Sequence, residues 1–203
     1  VTEFEEKPEV PRSNLASMGI YIFSWKTLRD SLIELSNEPG CDFGKHIIPH
    51  VFNNGGRIFS YEYNGYWKDV GTLESYWEAN MELIDIIPEF NLYEEYWKIY
   101  TKGDIITPQY IAATSTINKS IIGEGVEVYG EVNNSVIGAG VVIEEGAVVN
   151  DSIVMKGSRI GANSKINKAI IAENSVVGKD CEIGAFDYCE SNYDKKVYNC
   201  DLA

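Results

Sequence analysis

Residues 3–8 of the sequence (EFEEKP) place a lysine directly after a cluster of carboxylates and before a proline. An ammonium group held at one fixed point of the chain can neutralise a single phosphate group. The segment therefore predicts a phosphate contact at Lys7, next to the carboxylate of Glu6. A solvated run of charges at the end of a strand, with residues 3–5 in that strand, is the alternative that these residues leave open.

Residues 66–72 (YWKDVGT) form the second segment whose residue types suit binding chemistry. Asp69 lies between aromatic residues and a glycine turn, just before a helix that Thr72 can cap. Carboxylate oxygens are ligands for Mg²⁺ in proteins, so Asp69 is a candidate metal ligand. A turn carboxylate near a helix N-terminus, with no metal, is the alternative.

Mixed α/β structure is predicted for residues 1–90, which must position both segments. Helical patterns cover residues 25–35 and 42–52, and we expect the second helix to bend at Pro49. A third helix follows Thr72, because apolar residues recur there at helical spacing. Its apolar positions are Leu73, Trp77, Met81 and Ile84.

Two further segments of this region predict strands. Residues 15–23 (LASMGIYIF) form an apolar run typical of a buried strand, and residues 57–63 alternate between polar and apolar side chains. Residues 91–110 are interpreted as a linker rich in aromatic side chains. A separate domain is then predicted for residues 111–203.

A ladder of aliphatic residues runs through that last domain. From Ile137 onward its steps are 6, 6, 5, 6, 6, 5, 6 and 6 residues. Helices require steps of three and four, and hairpin sheets require turns about every 8–12 residues. Steps of six, three to a coil, instead predict a triangular solenoid with one aliphatic side chain pointing inward from each side. The members of the ladder are Ile111, Ile117, Ile122, Val128, Val132, Ile137, Ile143, Val149, Val154, Ile160, Ile166, Ile171, Val177 and Ile183.

Glycine follows the ladder residue at several of these steps. Glycine readily adopts backbone conformations that other residues avoid. We therefore expect these glycines to form the tight corners of the solenoid. They are Gly123, Gly138, Gly161, Gly178 and Gly184.

The register of the ladder resembles the hexapeptide-repeat family of left-handed parallel β-helices. Such solenoids occur in acyltransferases and also as oligomerisation domains of other enzymes, so the resemblance implies a fold rather than a function. Acyltransferases of this type usually use a histidine within or beside the coils. The histidines of this sequence, His46 and His50, lie far upstream of the ladder, which argues against an acyltransferase.

Four blocks of the sequence resemble bacterial glucose-1-phosphate adenylyltransferases, also called ADP-glucose pyrophosphorylases, in their order and spacing. The blocks are EFEEKP, SNLASMGIYIF, DFGKHIIP and GYWKDVGTLESYWEANMELI. The resemblance implies that residues 1–90 are the C-terminal part of an α/β nucleotidyltransferase domain, followed by a left-handed β-helix. It also implies transfer of AMP from ATP to glucose 1-phosphate, giving ADP-glucose and pyrophosphate for glycogen biosynthesis, with Mg²⁺ as the cofactor.

The same resemblance implies roles for individual residues. Lys7 would pair with the sugar phosphate and Asp69 would be one of two aspartates that hold Mg²⁺, which makes these two the expected catalytic residues. Carboxylates, hydroxyls and aromatic faces suit a sugar. The expected substrate-binding residues are Glu6, Lys7, Ser17, Tyr21, Asp42, Phe43 and Trp67.

The Gly-rich nucleotide loop of that family and its other metal aspartate have no counterpart in this sequence, where the pair Gly55-Gly56 is interpreted as a turn. We therefore expect a fragment that is inactive alone. Three alternatives stay open, namely another sugar-1-phosphate nucleotidyltransferase, a regulatory paralogue without activity, and a pure assembly module. Such paralogues tend to lose the lysine and the aspartate, so the presence of Lys7 and Asp69 favours the catalytic type.

Composition limits the compartment and the partners. A formal net charge of −14 argues against nucleic acid or an anionic membrane as the main partner. No apolar run is long enough to span a bilayer. Four cysteines without a CxxC pair are expected to be free thiols in a reducing cytoplasm. A homo-tetramer, or a hetero-oligomer with a regulatory paralogue, is the assembly that the resemblance implies.

Overall fold

The computed structural model describes residues 1–100, 102–103 and 106–184. The last part of the predicted β-helix, with Cys189 and Cys200, lies outside the described residues. The chain divides into two compact units, Val1–Trp67 and Lys68–Ala203. Cys41 and Cys181 are both free thiols, as expected. Within the described ranges, no helix has the length and apolar character needed to cross a membrane.

Two helical segments of the first unit lie where the sequence predicts them. Helix α1 spans Trp25–Glu34. A π-helical turn, Phe43–Ile47, continues directly into helix α2, Ile48–Asn53, with Pro49 in its first turn. Proline is accepted there because the first N–H groups of a helix have no intrahelical partner. The buried residues of these segments are Ser31, Gly44, Ile47, Ile48 and Val51.

The strands that the sequence predicts at residues 3–5, 15–23 and 57–63 are absent, so these three predictions are wrong. The side chains of Leu15 and Ile22 are 76% and 99% exposed rather than buried. A strand is stable only where a neighbouring strand pairs its N–H and C=O groups. None of residues 1–67 belongs to a strand. The three segments therefore have the apolar pattern of strands but no neighbouring strand to pair with.

The second unit contains a three-sided parallel β-helix, which confirms the hexapeptide-repeat prediction. Its described part has fourteen short strands, β1–β14, and strands three apart in sequence are neighbours in one of three sheets. The first sheet contains β1 (Tyr110–Ile111), β4 (Glu127–Val128), β7 (Val142–Ile143), β10 (Arg159–Ile160) and β13 (Val176–Val177). The second contains β2 (Thr116–Asn118), β5 (Glu131–Asn133), β8 (Val148–Asn150), β11 (Lys165–Asn167) and β14 (Glu182–Ile183). The third contains β3 (Ile121–Ile122), β6 (Val136–Ile137), β9 (Ile153–Val154) and β12 (Ile170–Ile171).

The predicted ladder residues form the core of this β-helix. In its middle coils they are fully buried, as at Ile143, Val149 and Ile160, each 0% exposed. Full burial of one such side chain contributes about 1.5–3 kcal/mol. The ladder is more open at its first strand, where Ile111 is 46% exposed. The prism is therefore held together chiefly by one aliphatic column on each side.

Serine side chains complete the hydrogen bonding at one corner of successive coils. Ser120 Oγ accepts from Ser135 N, and Ser135 Oγ accepts from Ser152 N, both at 3.1 Å. Ser152 Oγ accepts in turn from Ala169 N at 3.1 Å. Ser135 and Ser152 are both 0% exposed. A buried hydroxyl without partners would be costly, so this stack also specifies the register of the coils.

The glycines that follow the ladder residues mostly have a different role from the predicted one. Of these five, Gly184 alone has a positive φ, of 95°. At Gly138, an added Cβ would lie 2.7 Å from the backbone nitrogen of Lys156 in the next coil. Glycine is needed there because two coils approach closely. The left-handed corners lie elsewhere, at glycines such as Gly140 and at asparagine, aspartate and lysine residues such as Asn134 (φ 45°).

Helix α3, Leu73–Glu82, is capped by Thr72 as predicted and belongs to the second unit. Thr72 Oγ1 accepts from Ser75 N at 3.1 Å, and Ser75 Oγ accepts from Thr72 N at 3.1 Å. These reciprocal bonds are a capping box and fix the first turn of the helix. Ile84, predicted on the same apolar stripe, lies just beyond the helix and is only 8% exposed.

We expect Ile143→Ala to lower the free energy of unfolding by about 2–5 kcal/mol, because it leaves a cavity in the fully packed prism. The matched control is Val142→Ala, the outward neighbour on β7, which should cost less than about 1 kcal/mol. Urea unfolding monitored by circular dichroism measures both. Equal losses for the two variants would contradict the assignment of inward and outward positions.

A second pair of variants tests the roles of the glycines. Gly138→Ala should destabilise the β-helix by about 1–3 kcal/mol, because its Cβ would strike the neighbouring coil. An ordinary residue in the left-handed conformation costs roughly 1–2 kcal/mol, and asparagine tolerates this conformation better than most residues. Gly140→Asn should therefore cost less than that, since nothing lies within 4 Å of an added Cβ there. The same unfolding measurement decides, and a reversed order of the two losses would show that conformation rather than contact dominates.

Candidate functional site

An open cleft of about 620 Å³ lies within the first unit. Its walls come from the segment before α1, from the first turns of α1, and from the start of the π-helical turn. Four of the predicted substrate-binding residues line it, namely Glu6, Tyr21, Asp42 and Phe43. The other residues that line the cleft are Gly19, Phe23, Trp25, Leu28 and Gly44.

The carboxylate of Glu6 rests against the backbone of Gly44. A Cβ at Gly44 would lie 2.3 Å from the Oε2 atom of Glu6, so a larger residue there would displace this carboxylate. Glu6 is partly buried, with 27% of its side chain exposed. The contact joins residues 38 positions apart in sequence and thereby places a hydrogen-bond acceptor in the cleft.

Asp42 caps the π-helical turn and presents a second carboxylate. Its Oδ1 accepts from Lys45 N at 2.9 Å, and its own N–H donates to His46 Nδ1 at 3.0 Å. The backbone N–H of Lys45, assisted by that of Gly44, holds the pKa of the Asp42 carboxyl below its usual value. Asp42 is therefore an ionised acceptor at neutral pH.

Aromatic rings form an apolar wall in the same cleft. Tyr21 and Phe43 are stacked with ring centroids 6.0 Å apart and planes at 18°, and Phe23 lies 5.8 Å from Phe43. The hydroxyl of Tyr21 is 2.9 Å from Ser17 Oγ, which fixes the ring at its polar end. Ser17 also accepts from Gly19 N at 3.2 Å. The structure thus links Ser17 to the cleft through Tyr21.

Lys7 and Trp67, both predicted to meet the substrate, do not line the cleft in this structure. The Lys7 ammonium is 4.0 Å from Glu6 Oε1, and 84% of its side chain is exposed. The backbone of Lys7 has a left-handed φ of 48°, a sharp turn directly after Glu6. Trp67 is also exposed, at 47%.

Asp69, the predicted metal ligand, belongs to the second unit. Its Oδ1 accepts from Gly71 N at 3.1 Å, which closes the turn before α3. The carboxylate is exposed to solvent. In the part of the chain that the structure describes, no group of three or more His, Cys, Asp or Glu side chains could hold a metal ion. Asp69 offers one exposed carboxylate, and Mg²⁺ can be bound through one or two carboxylates when water and phosphate supply its other ligands.

Sequence reasoning missed the lining residues Phe23, Trp25, Leu28 and Gly44. Trp25 and Leu28 are three residues apart on α1, so one face of the helix presents both. The sequence predicts helix α1, but it does not indicate which side of the helix the neighbouring segments leave uncovered. Gly44 belongs to the DFGKHIIP block, yet its packing against the carboxylate of Glu6 could not be read from the block itself.

Two family models match the sequence, and the boundary between them falls later in the chain than the boundary between the two compact units. A family model described as nucleotidyl transferase matches residues 1–86. A second model, described as GlmU-like, C-terminal hexapeptide, matches residues 106–200. The first match contains the cleft and Asp69, and the second contains the β-helix.

Curated relatives cover the whole chain. A glucose-1-phosphate adenylyltransferase from Lachnospira eligens is 77% identical over 145 residues, which are 71% of this chain and 34% of the relative. Proteins of the same name from Fervidobacterium nodosum and Thermosipho africanus are 49% and 51% identical over 204 residues, covering 100% of this chain and 49% of each relative. The chain therefore spans about half the length, or less, of these relatives. It belongs to the family of bacterial glucose-1-phosphate adenylyltransferases.

Proposed function

We propose that this chain supplies the sugar-phosphate site and one metal-binding aspartate of a glucose-1-phosphate adenylyltransferase. The reaction would transfer AMP from ATP to the phosphate of glucose 1-phosphate and release pyrophosphate, giving ADP-glucose for glycogen biosynthesis. The observation that carries the proposal is the cleft that combines two carboxylates, Glu6 and Asp42, with the stacked rings of Tyr21 and Phe43. The shared name of relatives along the whole chain supports it.

The chemistry of the cleft suits a hexose. Sugar hydroxyls need acceptors that can take two hydrogen bonds, and carboxylates provide them. Glu6 is held by its contact with Gly44, and Asp42 stays ionised because backbone N–H groups stabilise its charge. The apolar face of a sugar ring would pack against the aromatic wall. Ser17 would act by holding the Tyr21 hydroxyl in place.

Lys7 would provide the charge for the phosphate group. Its ammonium adjoins Glu6 but is bound only loosely by it, at 4.0 Å. A compact charge on a flexible stem can reach a phosphate at the edge of the cleft while Glu6 holds the sugar. The adjacent residues Glu6 and Lys7 would then bind the sugar and the phosphate group of the same ligand. Trp67 would pack beside the sugar, as the resemblance implies.

Asp69 would hold Mg²⁺ together with a second aspartate from the remainder of the nucleotidyltransferase domain. When bound, the ion would neutralise charge on the phosphates of the nucleotide. The part of the protein itself is to position the reactants and to stabilise charge, since a phosphate oxygen is the nucleophile and no covalent enzyme intermediate is needed. The turn closed by Gly71 N would hold Asp69 for that role.

Assembly and compartment are part of the same proposal. A cytoplasmic homo-tetramer, or a hetero-oligomer with a regulatory paralogue, would be the working form. A different sugar-1-phosphate nucleotidyltransferase and a regulatory subunit without activity are the competing functions. The relatives' name disfavours the first, and the presence of both Lys7 and Asp69 disfavours the second.

The sugar site is tested by calorimetry on this chain. Glucose 1-phosphate should bind, and Lys7→Met should weaken its affinity about tenfold, because a charge-assisted contact with the phosphate is lost. Lys179→Met, an equal change of charge at an exposed corner of the β-helix, is the control and should bind as the unaltered chain does. Unphosphorylated glucose should not distinguish the variants. Absence of any heat from glucose 1-phosphate would exclude a retained sugar site and favour a pure assembly module.

The reaction is tested by pyrophosphate release from ATP and glucose 1-phosphate. The chain alone should show no turnover, whereas a fusion behind the first half of the Lachnospira eligens relative should be active. In that fusion, Asp69→Asn should lower kcat about 10²-fold, because a charge-stabilising ligand is lost. Asp180→Asn on the β-helix is the matched control and should leave kcat unchanged.

Two results would count against this function. Turnover by the chain alone would overturn its interpretation as a fragment. Preference of the fusion for a uridine or guanosine nucleotide, or for another sugar 1-phosphate, would favour the competing nucleotidyltransferases.

A further inference from the structure

The second unit contains a contact between α3 and the β-helix that the proposed reaction does not yet use. Trp77, in the middle of α3, donates its indole N–H to the backbone oxygen of Asp151 at 2.7 Å. The ammonium of Lys168 lies over the same ring, 5.2 Å from its centroid. Trp77 is therefore held by a hydrogen bond and a cation–π contact from two successive coils.

A second contact lies further along the chain. Lys119 Nζ is 3.2 Å from Asp85 Oδ1, just beyond the end of α3. Lys119, Asp151 and Lys168 are equivalent corner residues of different coils, with φ values of 40°, 47° and 46°. The distance between the two contacts is similar whether it is measured along the α3 segment or along the column of corner residues. The eight residues from Trp77 to Asp85, which lies three residues beyond α3, span about 12 Å if the helical rise is extended to them. Two to three coils at the spacing of neighbouring strands span about 10–14 Å.

The third sheet, which contains β3, β6, β9 and β12, lies beside this corner and is apolar on its outer face as well as inside. Its outward residues are Ile121, Val136, Ile153 and Ile170. Ile153 is only 3% exposed, and the other three are half-buried. The outward residues of the second sheet are instead mostly polar and exposed, as at Glu131 and Lys165. Ile84, next to Asp85, is also buried. These observations indicate that the α3 segment lies along this face of the β-helix.

The residues around Asp69 are tied to the same helix at two points. Thr72 caps α3 through its reciprocal bonds with Ser75. Lys68 forms ion pairs with Glu78, at 3.2 Å, and with Glu82, so the residue before Asp69 is tied to the last turns of the helix. Glu82 first and then Glu78 raise the pKa of Lys68, so its ammonium stays charged at neutral pH. Asp69 therefore lies between two attachments to one helix.

We infer that Trp77 is a positioning residue through which the β-helix holds the turn that contains Asp69. The β-helix would thus contribute to the order of the candidate metal ligand, in addition to any role in assembly. The inference rests on the proposed function only where it assigns a metal to Asp69. The mechanical link from Asp151 through Trp77 to residues 68–72 is independent of that assignment.

Hydrogen exchange measured by mass spectrometry on the 203-residue chain tests the link without any ligand. Trp77→Phe keeps an aromatic ring but removes the donor to Asp151. Amides of residues 69–84 should exchange about two- to tenfold faster, the change expected for the loss of one hydrogen bond from a local opening unit. Amides of the coils should be unaffected. Trp97→Phe is the matched control, because the Trp97 side chain is 85% exposed.

Two results of the exchange experiment would overturn the inference. Unchanged exchange at residues 69–72 would mean that the turn is ordered without Trp77. Faster exchange throughout the coils would mean that Trp77 serves the stability of the whole unit rather than the position of the turn. Lys168→Gln separates the two contacts of the ring, and should produce a smaller acceleration in the same residues.

The active fusion provides the second measurement. Trp77→Phe should lower kcat and raise the Mg²⁺ concentration for half-maximal rate, with KM for glucose 1-phosphate unchanged, since Glu6 and Lys7 belong to the first unit. A rise in that KM with kcat unchanged would contradict positioning of Asp69. If the fusion has no activity at all, the proposed function fails, while the exchange experiment still decides the inference.

Discussion

The second unit depends on one constraint, which is that the backbone of each coil must hydrogen-bond to the coils on either side. The bond from Ile153 N to Ala169 O, at 2.9 Å, is one rung of such a ladder. Coils stacked at the strand spacing of about 4.8 Å leave little space between their corners. The constraint therefore requires aliphatic residues inside, and it requires glycine where corners touch, as at Gly138. It also requires buried hydroxyls to bond from coil to coil, as Ser135 does.

The same stacking creates columns of equivalent corner residues on the outside of the β-helix. The left-handed corners at Lys119, Asp151 and Lys168 are such a column, and α3 is attached to it through Trp77. A column repeats at a fixed spacing, so a helix lying along it can make contacts several coils apart. The periodicity of the repeat thus determines where a neighbouring helix can dock. Through that helix, the β-helix would also help to hold the turn at Asp69.

Local periodicity explains what could be predicted from the sequence. The ladder from Ile117 to Ile183, helices α1 and α3 and the Thr72 cap depend on short-range patterns, and the structure confirms them. Residues 15–23 have a strand pattern too, but a strand needs a partner, and none of residues 1–67 forms one. The sequence singled out the two carboxylates and two of the rings of the cleft by their residue types, whereas it did not predict Phe23 or the packing of Glu6 against Gly44 across 38 residues.

Charge explains how an acidic chain could recognise a phosphorylated sugar. The net charge of −14 disfavours an anion, and Glu6 and Asp42 in the cleft add to that repulsion. They are nevertheless good acceptors for neutral hydroxyls. The loosely paired Lys7 ammonium next to Glu6 is a local exception to this acidic surface. A phosphate without a sugar would meet the repulsion of two carboxylates, and a sugar without a phosphate would gain nothing from the lysine. Selectivity for a sugar 1-phosphate would therefore arise because one ligand must offer hydroxyls to the carboxylates and a phosphate group to the lysine.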